Sequence, residues 1–523
     1  MSLLLTLAVA AAIQALAPHS ADAMKFTHVD GGSNYYARFS NGLPVSRSYF
    51  PIGVWGSYDH TQAHIDQDKA VGYNLYVWDA DAPSAGELSR LAANRMKALF
   101  TSDWYGSSGL STASANAGYM LDDEVDGRFG LPEGFTVMQQ DNAAAPKDGR
   151  IRYANYTKNV LIWYSDADAA RFVNEFQQVV STDFYWFTDP YQVPTMEAPP
   201  WFPEAGQTIS GPQIRRAANY GYQVDRMRQL DALDGKRQPI WGFVEEGWPF
   251  TQTAAEGARA ITPPEMRAAV WQSLIAGARG IVYFNHSFGG PCQTHHINRD
   301  PCYPAIQAEL TRTNSQIRQL APVLNSPTVS SGWSQGAGTT AMVKWANGKK
   351  AAGKRCKSKK KKKCKKAKGK KAAGKRCKSN KKKKCKKAKV HLYVFAGSAG
   401  SSVEGRFSLS CVDDAKAAVV GENRTVPVRN GSFRDHFVDG NAIHIYRVDA
   451  RTRCGPPRRG TVTPLALPRG DGPAEPSRVS VFRVIIAVLF IAMLASLGIT
   501  HRPGPAPWRS GKRAKRAQQL RMR

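Results

Sequence analysis

The sequence lacks the glycine, serine and histidine–cysteine spacings that mark several large enzyme classes. Across residues 50–320 there is no Walker loop to cradle phosphates, no Rossmann glycine pattern, no Gly-x-Ser-x-Gly elbow and no zinc-type array of His and Cys. A P-loop NTPase, a dinucleotide-dependent enzyme and an elbow-type serine hydrolase are therefore excluded, and neither a cofactor nor a metal is expected. Acidic residues are missing from two further segments. Residues 349–389 hold 25 Lys or Arg and residues 501–523 hold eight, without one Asp or Glu in either. Together they outweigh the formal net charge of +31, so the rest of the chain is close to neutral. A uniformly basic surface for nucleic acid is thereby excluded, and nucleic acid is not an expected partner.

Charge is also absent from two apolar runs. Residues 2–17 are followed by Ala21-Asp22-Ala23, an A-x-A-like cleavage site, and residues 1–23 read as a secretory signal peptide. Ahead of that run the amino terminus is the sole positive charge, which leaves a buried N-terminal helix as the alternative. Residues 484–500 carry no charge, and with 479–483 in front they are long enough to form a transmembrane helix. The basic tail 501–523 then lies in the cytoplasm by the positive-inside rule. Both ends imply a cell-membrane protein whose folded domains are extracellular, or a secreted one if the C-terminal helix is removed. Leu467-Pro468-Arg469-Gly470 lacks the threonine of a cell-wall sorting signal.

Eight cysteines suit an oxidising compartment. Cys292 and Cys302, ten residues apart in one loop, form a candidate disulfide, as do Cys411 and Cys454, which flank a strand-rich stretch. Free buried thiols are the alternative, because spacing never fixes connectivity. The other four cysteines, Cys356, Cys364, Cys377 and Cys385, belong to two copies of one lysine-rich unit that repeats every 21 residues. A tract of this composition does not bury enough apolar area to offset its ordering entropy, so it is expected to be a disordered loop between two strands.

From 50 to 287, short β-type runs alternate with amphipathic helical stretches, the pattern of a parallel sheet closed by crossover helices. Eight strands are expected, at 50–55, 73–78, 97–104, 118–122, 150–156 or the nearby 160–164, 183–188, 239–245 and 280–285. The clearest helices are 86–95, 168–179, 214–233 and 262–276, the last with Thr262 as its cap and Pro263 in its first turn. The fold class is α/β, a (β/α)₈ TIM barrel over 24–321. A small all-β sandwich follows over 322–450, interrupted by the 349–389 loop, and a linker over 451–478. Its expected strands include 340–345, 391–395, 405–409 and 442–447.

In such a barrel the catalytic groups lie at the C-terminal ends of the strands. Those ends bring Asp59, Asp79, Asp103 with Trp104, Asp122-Asp123-Glu124, Asp189 with Tyr191, Glu245-Glu246 with Trp248, and Asn285-His286 toward one rim. Gly118-Tyr119-Met120-Leu121-Asp122-Asp123-Glu124 and Trp241-Gly242-Phe243-Val244-Glu245-Glu246-Gly247 resemble the acid/base and nucleophile segments of the retaining (β/α)₈-barrel glycoside hydrolases with catalytic glutamates on strands four and seven. An Asp, Asp123, stands where that clan has Asn before the acid/base, so the exact family stays open. The resemblance spans about 50–320 and implies a carbohydrate substrate, with Glu124 as general acid/base and Glu245 as nucleophile.

Retention needs two carboxyl groups about 5–5.5 Å apart. Asp122 and Asp123 are expected to raise the Glu124 carboxyl by repulsion. Of the adjacent pair Glu245 and Glu246 one side chain faces inward, because neighbours in a strand point opposite ways. Trp104, Tyr191, Trp201 and Trp248 are candidates for stacking on sugar rings, or for burial in the core. Asn285 and His286 could bind substrate hydroxyls or orient a glutamate. The rival reading is a non-catalytic surface protein whose lysine tract binds anionic cell-envelope polymers.

Overall fold

A computed structural model describes residues 23–79, 82–346, 389–454 and 457–460. The expected signal peptide up to residue 22, the lysine tract up to residue 388, the transmembrane helix and the basic tail, with residues 461–478 of the linker, lie outside the described residues, whereas Lys389 opens a strand. Among the described residues no helix is long and apolar enough to cross a membrane.

Eight parallel strands close into a barrel. In chain order they are Ile52–Trp55, Leu75–Asp79, Lys97–Phe100, Asn116–Asp123, Ile151–Tyr156, Val179–Thr182, Ile240–Glu245 and Ile281–Phe284. Period-two alternation divides their side chains. Leu75, Val77, Leu99, Tyr153, Trp241, Phe243 and Val282 fill the interior, while Tyr76, Ala98, Phe100, Ala154 and Val244 pack outward beneath the helices.

Two departures from the expected barrel have local causes. The sixth strand is Val179–Thr182, not 183–188. The aromatic run Phe184-Tyr185-Trp186-Phe187 has strand-like composition but forms the loop after that strand, buried because Phe184, Trp186 and Phe187 pack with the helices and Tyr185 packs on the barrel interior. The alternative fifth strand at 160–164 is instead one π-helical turn, Asn159–Trp163. The third crossover carries the 3₁₀ turn Ser102–Trp104 and no α-helix, since the Gly- and Ser-rich residues 106–114 favour turns over a helix.

The helix Pro263–Ile275 starts in a capping box, with the Thr262 side chain on the N3 backbone and Glu265 returning to the Thr262 N–H. Such a cap stabilises a helix by about 1 kcal/mol. Residues Ala268 to Ile275 of this helix are buried on every side, because one face meets the barrel and the other the β domain. There Trp271 stacks on Phe395 at 5.9 Å, and Gln272 donates to the Ser398 carbonyl at 2.7 Å.

The β domain is a sandwich. Its large sheet has eight strands in the order Arg424–Val428, Ala415–Val419, Ile443–Arg451, Lys389–Ser398, Thr339–Ala346, Thr328–Ser331, Lys25–Thr27 and Arg458–Arg459. A second sheet holds Trp333–Gln335, Val403–Leu409 and Ser432–Phe437. Phe407, Phe433 and Phe437 from the small sheet meet Val343, Val394 and Tyr446 from the large one in a common core.

The domain limits shift accordingly. Lys25–Thr27, assigned to the barrel, pairs with Thr328–Ser331, and Arg458–Arg459, assigned to the linker, pairs beside it. Three- and two-residue strands carry almost no periodicity, so only their partners define them. Both candidate disulfides are formed, Cys292 to Cys302 and Cys411 to Cys454, with Cα atoms 6.3 and 5.6 Å apart.

Candidate active site

At the end of the fourth strand the backbone turns sharply at Glu124. Its φ is 48°, in the left-handed region where a non-glycine residue is strained. The Glu124 N–H reaches the Asn155 carbonyl on the fifth strand, and its own carbonyl opens the helix Val125–Arg128. The strand is thus broken at the residue whose carboxyl is presented. Asp123, the last residue of the strand, accepts from Asn155 Nδ2 at 3.0 Å.

The partner of Glu124 is Asp183, the first residue beyond the sixth strand, whose carboxyl hydrogen-bonds with that of Glu124. Burial first, then the Glu124 charge, pushes Asp183 well above the usual carboxylate range. Asp123 is raised by the same two causes. Asp183 was not among the residues singled out from sequence, because the sixth strand was set four residues too late. Asp122 does not join the cluster, since its carboxylate is held by Arg128 at 2.6 Å.

Glu245 ends the seventh strand on the parity of Trp241 and Phe243, the interior side. It is fully buried. The Tyr220 hydroxyl lies 2.7 and 2.8 Å from its two oxygens, and Thr188 donates at 3.0 Å. Burial raises its carboxyl to about 7, while these hydroxyls hold it down. Glu246 has the opposite parity. It accepts from Tyr73 within the layer between barrel and helices, and burial lifts it to about 8. As a substrate-binding candidate Glu246 is withdrawn, because its carboxyl faces away from the interior.

Tyr185 ties the acids together. Its ring packs against Phe243 and Phe284, and Asp183, Glu124, Glu245 and Asp123 all act on its hydroxyl electrostatically. That hydroxyl is buried without a hydrogen-bond partner. The charges of carboxyl groups that follow or end the fourth, sixth and seventh strands all act on one buried, unsatisfied donor, which costs stability unless something binds there.

The remaining candidates divide. Tyr191 is 62 % exposed, with one edge on Phe250 and Lys158 over its ring, so it can still stack on a ligand. Asp189, buried and ion-paired with Lys158, acts as an anchor for that loop. The Trp248 indole donates to Gln252 and lies against Gly289 and Gly290, where an added Cβ would strike the ring. Trp104 packs on the main core, and Trp201 is fixed by its bond to the Leu161 carbonyl. Asp103 is exposed on its turn. Asp59 is exposed too and lies 3.2 Å from His64. Asp79 ends the second strand, and its side chain is outside the described residues.

Asn285 is fully buried and holds the following loop, accepting from the Asn298 N–H at 3.3 Å. His286 bonds the His295 carbonyl at 2.9 Å, and burial pushes it down to about 3, so it is a neutral ring at physiological pH. Gly56 lies against His286, and a Cβ there would sit 2.5 Å from Nε2.

The chain is similar in fold to glycoside hydrolases. A structure described as a glycoside hydrolase shares 11 % identity with a TM-score of 0.46, covering 83 % of this chain and 98 % of its own. The α-amylase from Geobacillus thermoleovorans, solved with acarbose, shares 10 % identity with a TM-score of 0.42 over 77 % of this chain and 98 % of its own. A GH5_18 protein from Bifidobacterium longum subsp. infantis shares 10 % identity with a TM-score of 0.31 over 52 % and 79 %. No protein-family model and no curated protein matches the sequence.

Proposed function

We propose that this protein is a retaining glycoside hydrolase in which Glu245 is the nucleophile and Glu124, backed by Asp183, is the acid/base. The observation that carries this reading is that the charges of Glu124, Asp183 and Glu245 all act on the buried, unpartnered Tyr185 hydroxyl. In the first step a Glu245 oxygen bonds to the anomeric carbon as the glycosidic C–O bond breaks, and Glu124 delivers a proton to the departing oxygen. In the second step water attacks the same carbon, Glu124 takes its proton, and Glu245 is released. Asp183 keeps a proton beside Glu124, which lets one carboxyl of the pair stay protonated while Glu245 is ionised. Tyr185 donates to a sugar oxygen, and Tyr191 supplies an exposed stacking face.

The test is proton NMR of the sugar first released from a panel of aryl glycosides. Retention of anomeric configuration is the expected result. Inversion, or no turnover on any member of the panel, contradicts the proposal.

Export, anchoring through 479–500 and a cytoplasmic tail complete the proposal. A second reading concerns the lysine tract, whose flanking strands are in register up to Ala346 opposite His391, so both ends of the insertion leave the same end of one central strand pair. There 25 cations are offered to anionic envelope polymers. Retention on a polyanionic matrix is expected to fall with salt and to be lost on deleting 349–389. Salt-independent retention after the deletion would falsify it.

A further inference from the structure

The small sheet of the β domain has an outer face that the sandwich does not use. Phe407, Phe433 and Phe437 point inward, so Glu404, Arg406 and Ser408 on one strand and Ser432, Arg434 and His436 on the next point out. Their register makes three rows. Ser334, Ser408 and Ser432 form a hydroxyl row, with 3.1 Å between the last two. Glu404 and His436 meet at 3.2 Å.

Between these rows Arg406 stands directly opposite Arg434. Like charges in that position repel and destabilise the sheet. Among the described residues neither guanidinium has a carboxylate partner, and the adjacent Asp435 is already engaged by Arg424 and Tyr446. A third cation, Arg429, reaches the same place from a neighbouring turn, with only the exposed Asp414 near it at 3.7 Å. The three arginines and the serine row line one groove of about 630 Å³, a volume suited to a small ligand or a short stretch of polymer. Gly336 borders it, where an added Cβ would press on Arg406 at 3.4 Å.

We propose that this groove binds an anionic polysaccharide, its carboxylate or sulfate groups on Arg406, Arg434 and Arg429 and its hydroxyls on the serine row. Planar guanidinium forks match both kinds of oxyanion. A bound anion removes the repulsion that the free sheet carries. Nucleic acid is the poorer fit, because the groove offers no exposed ring for a base: Phe407 and Phe433 are each 3 % exposed. The inference is independent of the barrel chemistry.

The experiment compares the full chain with its Arg406→Gln/Arg434→Gln variant by calorimetric titration at fixed salt, and Arg429→Gln serves as a milder second variant. The probes are trigalacturonate, a sulfated galactose trisaccharide, uncharged galactotriose and an oligothymidylate of matched charge. At least one acidic trisaccharide is expected to bind with one-to-one stoichiometry and to weaken at least tenfold in the double variant, and whether the carboxylated or the sulfated one binds tighter identifies the source. The thermal midpoint is expected to stay level or rise as the repulsion disappears. Unchanged affinity in both variants places binding on the lysine tract and overturns the proposal. So does equal binding of galactotriose, tighter binding of the oligothymidylate, or no binding of either acidic trisaccharide. Turnover of aryl glycosides is expected to be unaltered, so this test and that of the barrel fail separately.

Discussion

Glu124→Gln is expected to lower kcat by about 10²–10⁴ on an aryl glycoside with a poor leaving group, the range that general acid catalysis supplies. With a strongly acidic phenol as leaving group the loss should shrink, because departure then needs little protonation. Glu245→Gln removes the proposed nucleophile and should depress turnover whatever the leaving group. The pH profile of kcat/KM carries a further signature. Glu245 must be ionised to attack, and burial holds its carboxyl at about 7, so activity should rise as pH climbs through that value. It should fall again when the Asp183–Glu124 pair loses its shared proton. Asp183, raised by burial and by the Glu124 charge, is the member that holds that proton, so Asp183→Asn is expected to displace the descending limb. An ascending limb near the ordinary glutamate value, or equal losses with good and poor leaving groups, would show that these carboxyls do other work.

Arg299→Ala is expected to destabilise the fold by about 3–5 kcal/mol, measured by denaturant unfolding, because it strands a buried carboxylate. Asp68 is fully buried on the first crossover helix, Gln62–Ala70. Arg299 meets it with two nitrogens at 3.1 and 2.7 Å, and Tyr76 donates to it at 2.6 Å. Arg299 also donates to the Tyr58 carbonyl at 2.9 Å, so it closes the loop after the eighth strand onto the loop after the first. Replacing Asp68 and Arg299 together by apolar residues should cost much less than the single change, since no charge is then left unpaired. A single-variant loss under about 1 kcal/mol, typical of exposed pairs, would contradict the burial argument.

Seven of the eight barrel strands are legible because each is an apolar run bounded by turn residues, and all of these but the third lead into a helix. The sixth is not. Val179–Thr182 has only four residues and trails a helix, whereas the aromatic run after it looks more like a strand than the strand does. That displacement hid Asp183 and promoted Thr188–Tyr191 to a strand end. Thr188 nevertheless reaches Glu245, which no reading of its position could have shown. The sequence favours Glu245 over Glu246 through the Gly two residues beyond it in the resembling segment, and in the folded strand Glu245 shares the parity of the interior Trp241 and Phe243. The pairing of Lys25–Thr27 with strands some 300 and 430 residues away is set by the folded partners alone.

The helix Pro263–Ile275 joins the seventh strand to the eighth while its outer side forms the floor of the β domain. Excision after residue 321 would open Trp271 and Gln272 to water and remove the partners of Lys25–Thr27. The barrel and the β domain therefore have no solvent gap between them at this helix, and a single cooperative melting transition is expected for the two.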